Sequence, residues 1–314
     1  MRLSLAEAYP PIPVCQIRHD LLILYELSTI PQRPKTTEIT QAAKTVVPVA
    51  IEKGRKENLK DAYSGEMTRG SIKRMKKAID ALISIADWKM VKHPTKDFNI
   101  RFKLNFITLT LPAPQGTISD KTIASKALKP FIEALKDKHE GVSYIWKAET
   151  QENGNIHYHI TTDKFIPYNW IKQCWNQKLE KFGYIDKFEE KHGHRHPNST
   201  DIHATHNIKD FKRYLVKYMT KKDDTRRKIE GKTWDCSRNL KDHKRAEVEI
   251  DYELQMSLQS YIEANDTQVK QTDHCTLIFI RRHEWKKWLP PRVNLAFENW
   301  CQCVRQSGKE PVAT

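Results

Sequence analysis

No G-x-x-x-x-G-K-[ST] occurs anywhere in the 314 residues, which excludes a fused nucleotide-driven motor of the P-loop kind. No C-x-x-C occurs among the six cysteines (Cys15, Cys174, Cys236, Cys275, Cys301, Cys303), and no dense disulfide framework can be drawn from them. Free thiols in a reducing compartment are the expectation. The longest apolar run, around Leu21–Tyr25, is far too short to cross a bilayer. The opening MRLSLAEAYPP carries an early Glu and lacks the apolar stretch of a signal peptide. These absences lead us to expect a soluble, cytoplasmic protein with no membrane partner. There is no internal repeat.

Acidic charge is also scarce: 39 Asp and Glu face 54 Lys and Arg, a formal net charge of +15. Such a balance favours a polyanionic partner. The basic residues are distributed (Lys53–Lys60, Arg69–Lys77, Lys209–Lys232, Arg281–Lys287), which fits a folded basic surface better than one charged tail.

Residues 1–65 are rich in proline early on and show no sustained period; we read them as an N-terminal extension, partly disordered, with Leu21–Leu27 as one short element. From Thr68 a helix is expected, capped by Ser71, with Ile72, Met75, Ile79, Leu82 and Ile83 inward and Lys73, Arg74, Lys76 and Lys77 outward. Phe102–Leu111 reads as one strand covered on both faces. Thr122–Lys136 reads as an amphipathic helix despite Pro130. Tyr144–Glu149 and Ile156–Ile160 form a hairpin, and Asn169–Lys181 a further helix. A polar loop precedes a short strand at Ile202–Thr205 and a helix at Ile208–Lys222. Beyond these lie a helix at Glu253–Glu263, a strand at Cys275–Ile280 and an aromatic tail. The order is an α+β pattern: a central antiparallel β-sheet with helices packed on it. Residues 66–245 would form the main domain and 246–314 a C-terminal extension.

The stretch that invites chemistry is SYIWKAETQENGNIHYHI. His157 and His159 alternate along a strand and so share one face. Two imidazoles on one face become a metal site if an acid joins them. The turn decides which acid. A two-residue Asn153-Gly154 turn leaves Glu152 as the only acid on that face. A three-residue loop with Gly154 left-handed pairs Gln151 with Asn155, and sets Glu149 opposite His157 and Lys147 opposite His159. Cross-strand neighbours stand about 5 Å apart, close enough to share an ion. We favour Glu149. The denser group His192, His194, His196, His203 and His206 reads as mostly solvated, with His203 the one member placed to approach from a strand.

In FKRYLVKYMTK, Tyr214 and Tyr218 lie four apart on one helix face, each followed three residues later by a lysine, Lys217 and Lys221. Phe211 and Leu215 share much of that face, so the rings suit core packing as well as chemistry. Beside an ammonium, and opposite a phosphodiester polarised by a cation, a phenol becomes a workable nucleophile.

His157-Tyr158-His159, the upstream FITLTLP and Tyr-x-x-Lys on a later helix resemble the HUH endonuclease superfamily. The doubled YLVKYMTK is similar to the two-tyrosine rolling-circle replication initiators of microvirus-like single-stranded DNA phages. The resemblance implies a ferredoxin-like palm, and it implies nicking of single-stranded DNA at an origin through a 5′-phosphotyrosine, followed by rejoining. It assigns Tyr214, Tyr218, Lys217 and Lys221 to catalysis. Mg²⁺ or Mn²⁺ would be held by Glu149, His157 and His159, the acid standing eight residues before the first histidine as in that family. Lys147, Arg213, Trp234 and Arg238 would contact nucleic acid, with Trp146 a further candidate for base stacking. Implied partners are the origin strand and a host helicase and polymerase, in a bacterial cytoplasm. A plasmid initiator, relaxase or transposase of the same superfamily, and a nucleic-acid-binding protein without catalysis, are the rival readings.

Overall fold

The computed structural model describes residues 11–27, 67–92, 97–204, 215–216, 219, 227–241 and 244–307. In chain order the strands and helices are β1 (Ile12–Arg18), β2 (Leu21–Leu27), α1 (Arg69–Ile85), β3 (Lys89–Lys92), β4 (Asn99–Phe102), β5 (Asn105–Leu109) and α2 (Asp120–Ile123). A π turn, Ala124–Leu128, leads into α3 (Lys129–Lys138), followed by β6 (Tyr144–Thr150), β7 (Ile156–Thr162), α4 (Tyr168–Glu180), α5 (Tyr184–His192) and β8 (Thr200–Ala204). The remainder comprises β9 (Trp234–Cys236), β10 (Ala246–Glu249), α6 (Tyr252–Ala264), β11 (Val269–Gln271), β12 (Thr276–Ile278), α7 (Trp285–Trp288) and α8 (Pro291–Gln306). The fold is α+β with antiparallel sheets. No helix among the described residues is long and apolar enough to cross a membrane.

The chain divides into two compact units, residues 1–62 with 245–296 and residues 63–244 with 297–314. The first is built on a sheet of order β10-β1-β2-β12-β11. Its β1 and β2 form a hairpin in full register from Ile12↔Leu27 to Arg18↔Leu21, turning at His19-Asp20. The expected short element at Leu21–Leu27 is β2, while the loosely ordered reading is corrected for residues 12–18: IPVCQIR and LLILYEL each supply β-forming residues, and Val14, Cys15, Ile17 and Leu22 are buried. The rest of the predicted N-terminal extension, residues 1–10 and 28–65, lies outside the described residues.

The second unit holds the central sheet, of order β8-β5-β7-β6-β9. Alternation gives its strands one apolar side. Ile107, Leu109, Trp146, Ala148, Ile156, Tyr158 and Ile160 pack with Phe131, Leu135, Ile171, Trp175 and Leu179 of α3 and α4. Trp175 is fully buried and donates its indole N–H to the Thr110 carbonyl at 2.8 Å. Truncating a ring so placed costs about 3–5 kcal/mol. Trp146 sits in this core, edge-on to Tyr158, and so is not exposed for stacking on bases.

Several local expectations are corrected. The cap of α1 is Thr68, whose hydroxyl accepts from the Ser71 amide at 3.1 Å, one turn earlier than expected. Phe102–Leu111 is two strands, because the chain bends at Lys103-Leu104 to leave the β3–β4 ribbon and enter the central sheet. The helix through Pro130 is continuous only by widening to a π turn just before it, a local i→i+5 pairing ahead of a residue with no N–H to give. α5 was not expected; it starts after Gly183, which is left-handed (φ 68°).

Candidate metal centre

β6 and β7 are joined by the three-residue loop. Glu149 stands opposite His157 and Lys147 opposite His159. The Gln151 amide donates to the Asn155 carbonyl at 2.8 Å, and Gly154 adopts φ 81°, a conformation that admits glycine without strain. The loop is clamped from outside. The Arg227 guanidinium donates to both oxygens of Asp120, at 2.7 Å each, and to the Gly154 carbonyl at 2.6 Å, while Asn155 accepts from the Gln115 amide at 2.8 Å. Burial works to raise the Asp120 carboxyl, yet Arg227, Gln115 and the Glu230 amide hold it below the ordinary range. The segment that follows the tyrosine motif is thereby tied to the turn of the histidine hairpin.

On the face opposite α3 and α4, one rung crosses the whole sheet: Asp201, Thr108, His159, Lys147 and Trp234. Here the two imidazole Nε2 atoms approach to 2.9 Å, and Glu149 Oε2 lies 3.5 Å from His157 Nε2 and 3.3 Å from His159 Nε2. Two ring nitrogens so close, beside a carboxylate oxygen, form a donor set suited to a shared cation. Among the described residues this is the one group of three such ligands. Thr108 Oγ1 sits 3.2 Å from His159 Nδ1. When that nitrogen donates its proton to Thr108, Nε2 presents its lone pair inward. Phe106 stacks on the His159 ring at 5.7 Å and fixes its plane.

Lys147 explains itself here. Its ammonium donates to Glu149 Oε1, with the lysine side chain only 6% exposed. Oε1 is thus held by the lysine and Oε2 faces the histidines, so the carboxylate offers a cation one oxygen. Burial works to raise the Glu149 carboxyl, but His157, His159 and Lys147 together hold it far below the ordinary range and keep it ionised. Burial holds the His159 imidazole below its ordinary value, against the pull of Glu149, and so favours the neutral ring that ligates.

The remaining expected residues fall in different places. Tyr214, Tyr218, Lys217, Lys221 and Arg213 lie outside the described residues; between them Leu215, Val216 and Met219 are helical, and Leu215 and Met219 are buried. Trp234 reaches the polar face and donates its indole N–H to Ser71 Oγ at 2.5 Å. Arg238 is exposed on a short 3₁₀ turn. His192, His194 and His196 are exposed; the rings of His194 and His196 stack, and those of His192 and His194 lean against Phe188. His203 has a backbone position opposite Phe106, two rungs from that of His159; its side chain, like all of His206, lies outside the described residues. Asp201, two residues from His203 and on the His159 rung, was not singled out from the sequence; only the pairing of β8 with β5 places it there.

The site is thus a candidate three-ligand cation site on one face of an antiparallel sheet, in a strongly basic chain. Residues 104–223 match the family model of the replication-associated protein ORF2, a family of rolling-circle replication initiators. The matched span holds the whole ligand set and both tyrosines. No curated protein and no solved structure matches the chain.

Proposed function

We propose that this protein is a replication initiator of the HUH type, close to those of microvirus-like phages, that nicks and rejoins one DNA strand at an origin. The observation that carries the reading is the convergence of Glu149 Oε2 with the Nε2 atoms of His157 and His159 inside a segment matched to replication initiators.

Glu149, His157 and His159 would hold Mg²⁺ or Mn²⁺. When bound, the cation supplies positive charge to a non-bridging oxygen of the scissile phosphate. The phenol oxygen of Tyr214 or Tyr218 attacks phosphorus, and the bond from phosphorus to the 3′ oxygen breaks. The strand is left as a 5′-phosphotyrosine, and the phenol's proton is balanced by protonation of the departing 3′ oxygen. Lys217 and Lys221 neutralise phosphate charge and favour the phenolate. The free 3′-OH is what a host polymerase, working with a helicase, would extend. After one round the second tyrosine attacks the regenerated junction in the same way, and the 3′-OH so freed attacks the first phosphotyrosine, restoring a phenol and closing a circle.

The test is covalent capture. Labelled single-stranded origin DNA with Mn²⁺ should give an SDS-resistant adduct that EDTA prevents. Tyr214→Phe and Tyr218→Phe should each retain part of it, and the double variant none. An adduct persisting in the double variant removes the tyrosine assignment; binding without any adduct in the parent leaves a nucleic-acid-binding protein.

A further inference from the structure

The β3–β4 ribbon has no share in the metal centre, yet its surface composition is unusual. Its register sets Lys89 opposite Phe102, Met90 opposite Arg101, Val91 opposite Ile100 and Lys92 opposite Asn99. Alternation divides the ribbon into two faces. On one, Phe102 is buried and Val91 and Ile100 are half-buried. On the other, Met90 is 64% exposed and Lys92, Asn99 and Arg101 are exposed as well. Trp88, one residue ahead of the ribbon and in step with Met90, is 42% exposed. The Arg101 guanidinium lies 4.2 Å from the Trp88 ring centroid. Phe98, beside β4, is 52% exposed.

We propose that this outer face of the ribbon is a docking surface for single-stranded DNA. On this face an indole and a thioether, Trp88 and Met90, are exposed beside Lys92 and Arg101, and the exposed Phe98 adjoins β4. Against these cations the described part of the ribbon sets one acid, Asp97, 3.4 Å from Lys92. Upstream in the chain, α1 also exposes Lys73, Arg74, Lys76 and Lys77. Exposed flat and polarisable groups interleaved with cations match a strand whose bases are unstacked and whose phosphates alternate with them. A duplex keeps its base faces inside, so it would use the cations and leave the indole in water. A protein partner would find the apolar groups framed by like charge. The identity of the strand as the one to be nicked rests on the function proposed above; the surface itself rests on the ribbon alone.

The experiment measures binding of a labelled oligothymidylate by fluorescence anisotropy, using the full chain in EDTA so that no cleavage intrudes. Trp88→Ala should weaken binding about tenfold, whereas Trp88→Phe, which keeps a stacking face, should stay within about threefold of the parent. Arg101→Gln should lower the salt dependence of binding by roughly one ion. Met90→Glu, at the most exposed of these positions, should weaken binding about tenfold with an unchanged thermal midpoint, which covers the case of a poorly folding Trp88 variant. A duplex of mixed sequence should bind Trp88→Ala and parent alike. Equal single-strand affinity of parent, Trp88→Ala and Met90→Glu overturns the proposal. So does an equal loss on duplex, which would make the ribbon a surface for charge alone. A parent that binds in EDTA but forms no adduct with Mn²⁺ overturns the nicking reading and leaves the ribbon's role standing.

Discussion

Two groups of histidines differ in where the backbone puts them. His192, His194 and His196 are three rings in five residues at the end of α5, all exposed. His157 and His159 are only two, yet their Nε2 atoms meet at 2.9 Å beside a half-buried carboxylate. A helix end followed by a loop fans side chains into water; a strand returns every second residue to one face and a neighbouring strand supplies the third ligand. The lesson is that register concentrates ligands, whereas sequence density alone does not.

Deleting rings from either group tests which of the two binds a cation. Glu149→Ala or the double change His157→Ala/His159→Ala should lower Mn²⁺ affinity by more than the roughly 10–100-fold typical of outer-shell partners, and should abolish the DNA adduct. Titration calorimetry with Mn²⁺ reads the first and gel capture the second. The triple change His192→Ala/His194→Ala/His196→Ala should leave both intact. If the triple variant loses the cation instead, the convergence at Glu149 is not the site.

Thr108→Val comes next. It removes the hydroxyl 3.2 Å from His159 Nδ1 while keeping a β-branched shape in the strand. The expected loss in Mn²⁺ affinity is about 10-fold, the lower part of the range for such partners. Among the described residues His194 has no such partner on a strand; its Nδ1 accepts from the His196 amide at 3.3 Å.

How far the sequence carries this reading depends on the range of the interaction. The helix at α1, with Met75, Ile79, Leu82 and Ile83 buried, and α4, with Ile171, Cys174, Trp175 and Leu179 buried, follow from local periodicity. So does the hairpin register, because a glycine at the last loop position favours one pairing over the other, and with it Glu149 over Glu152. The pairing of β1 with β10 and of β2 with β12 joins residues more than two hundred positions apart, and no local pattern encodes that. The bend at Lys103-Leu104 carries neither Gly nor Pro to announce it. Alternation puts Lys147 on the histidine face but does not give its bond to Glu149, since i and i+2 on a strand share a face without having to touch.

Lys147 also supplies the smallest of the expected effects and the one of opposite sign. Its ammonium competes with a cation for Glu149 and repels it, in a site where little water screens the charge. Lys147→Met keeps an unbranched side chain of similar length and removes the ammonium with its charge and its N–H donors. Glu149 then keeps its histidine partners and gains a second oxygen for the cation. Mn²⁺ should bind about 3–10-fold more tightly, while the triple variant of the exposed histidines shifts nothing. A weaker rather than tighter Mn²⁺ titration would mean that Lys147 acts mainly by holding Glu149 in position. Lys147→Arg separates the two: a guanidinium preserves the repulsion, so affinity near the parent's points to charge, and a loss equal to that of Lys147→Met points to position.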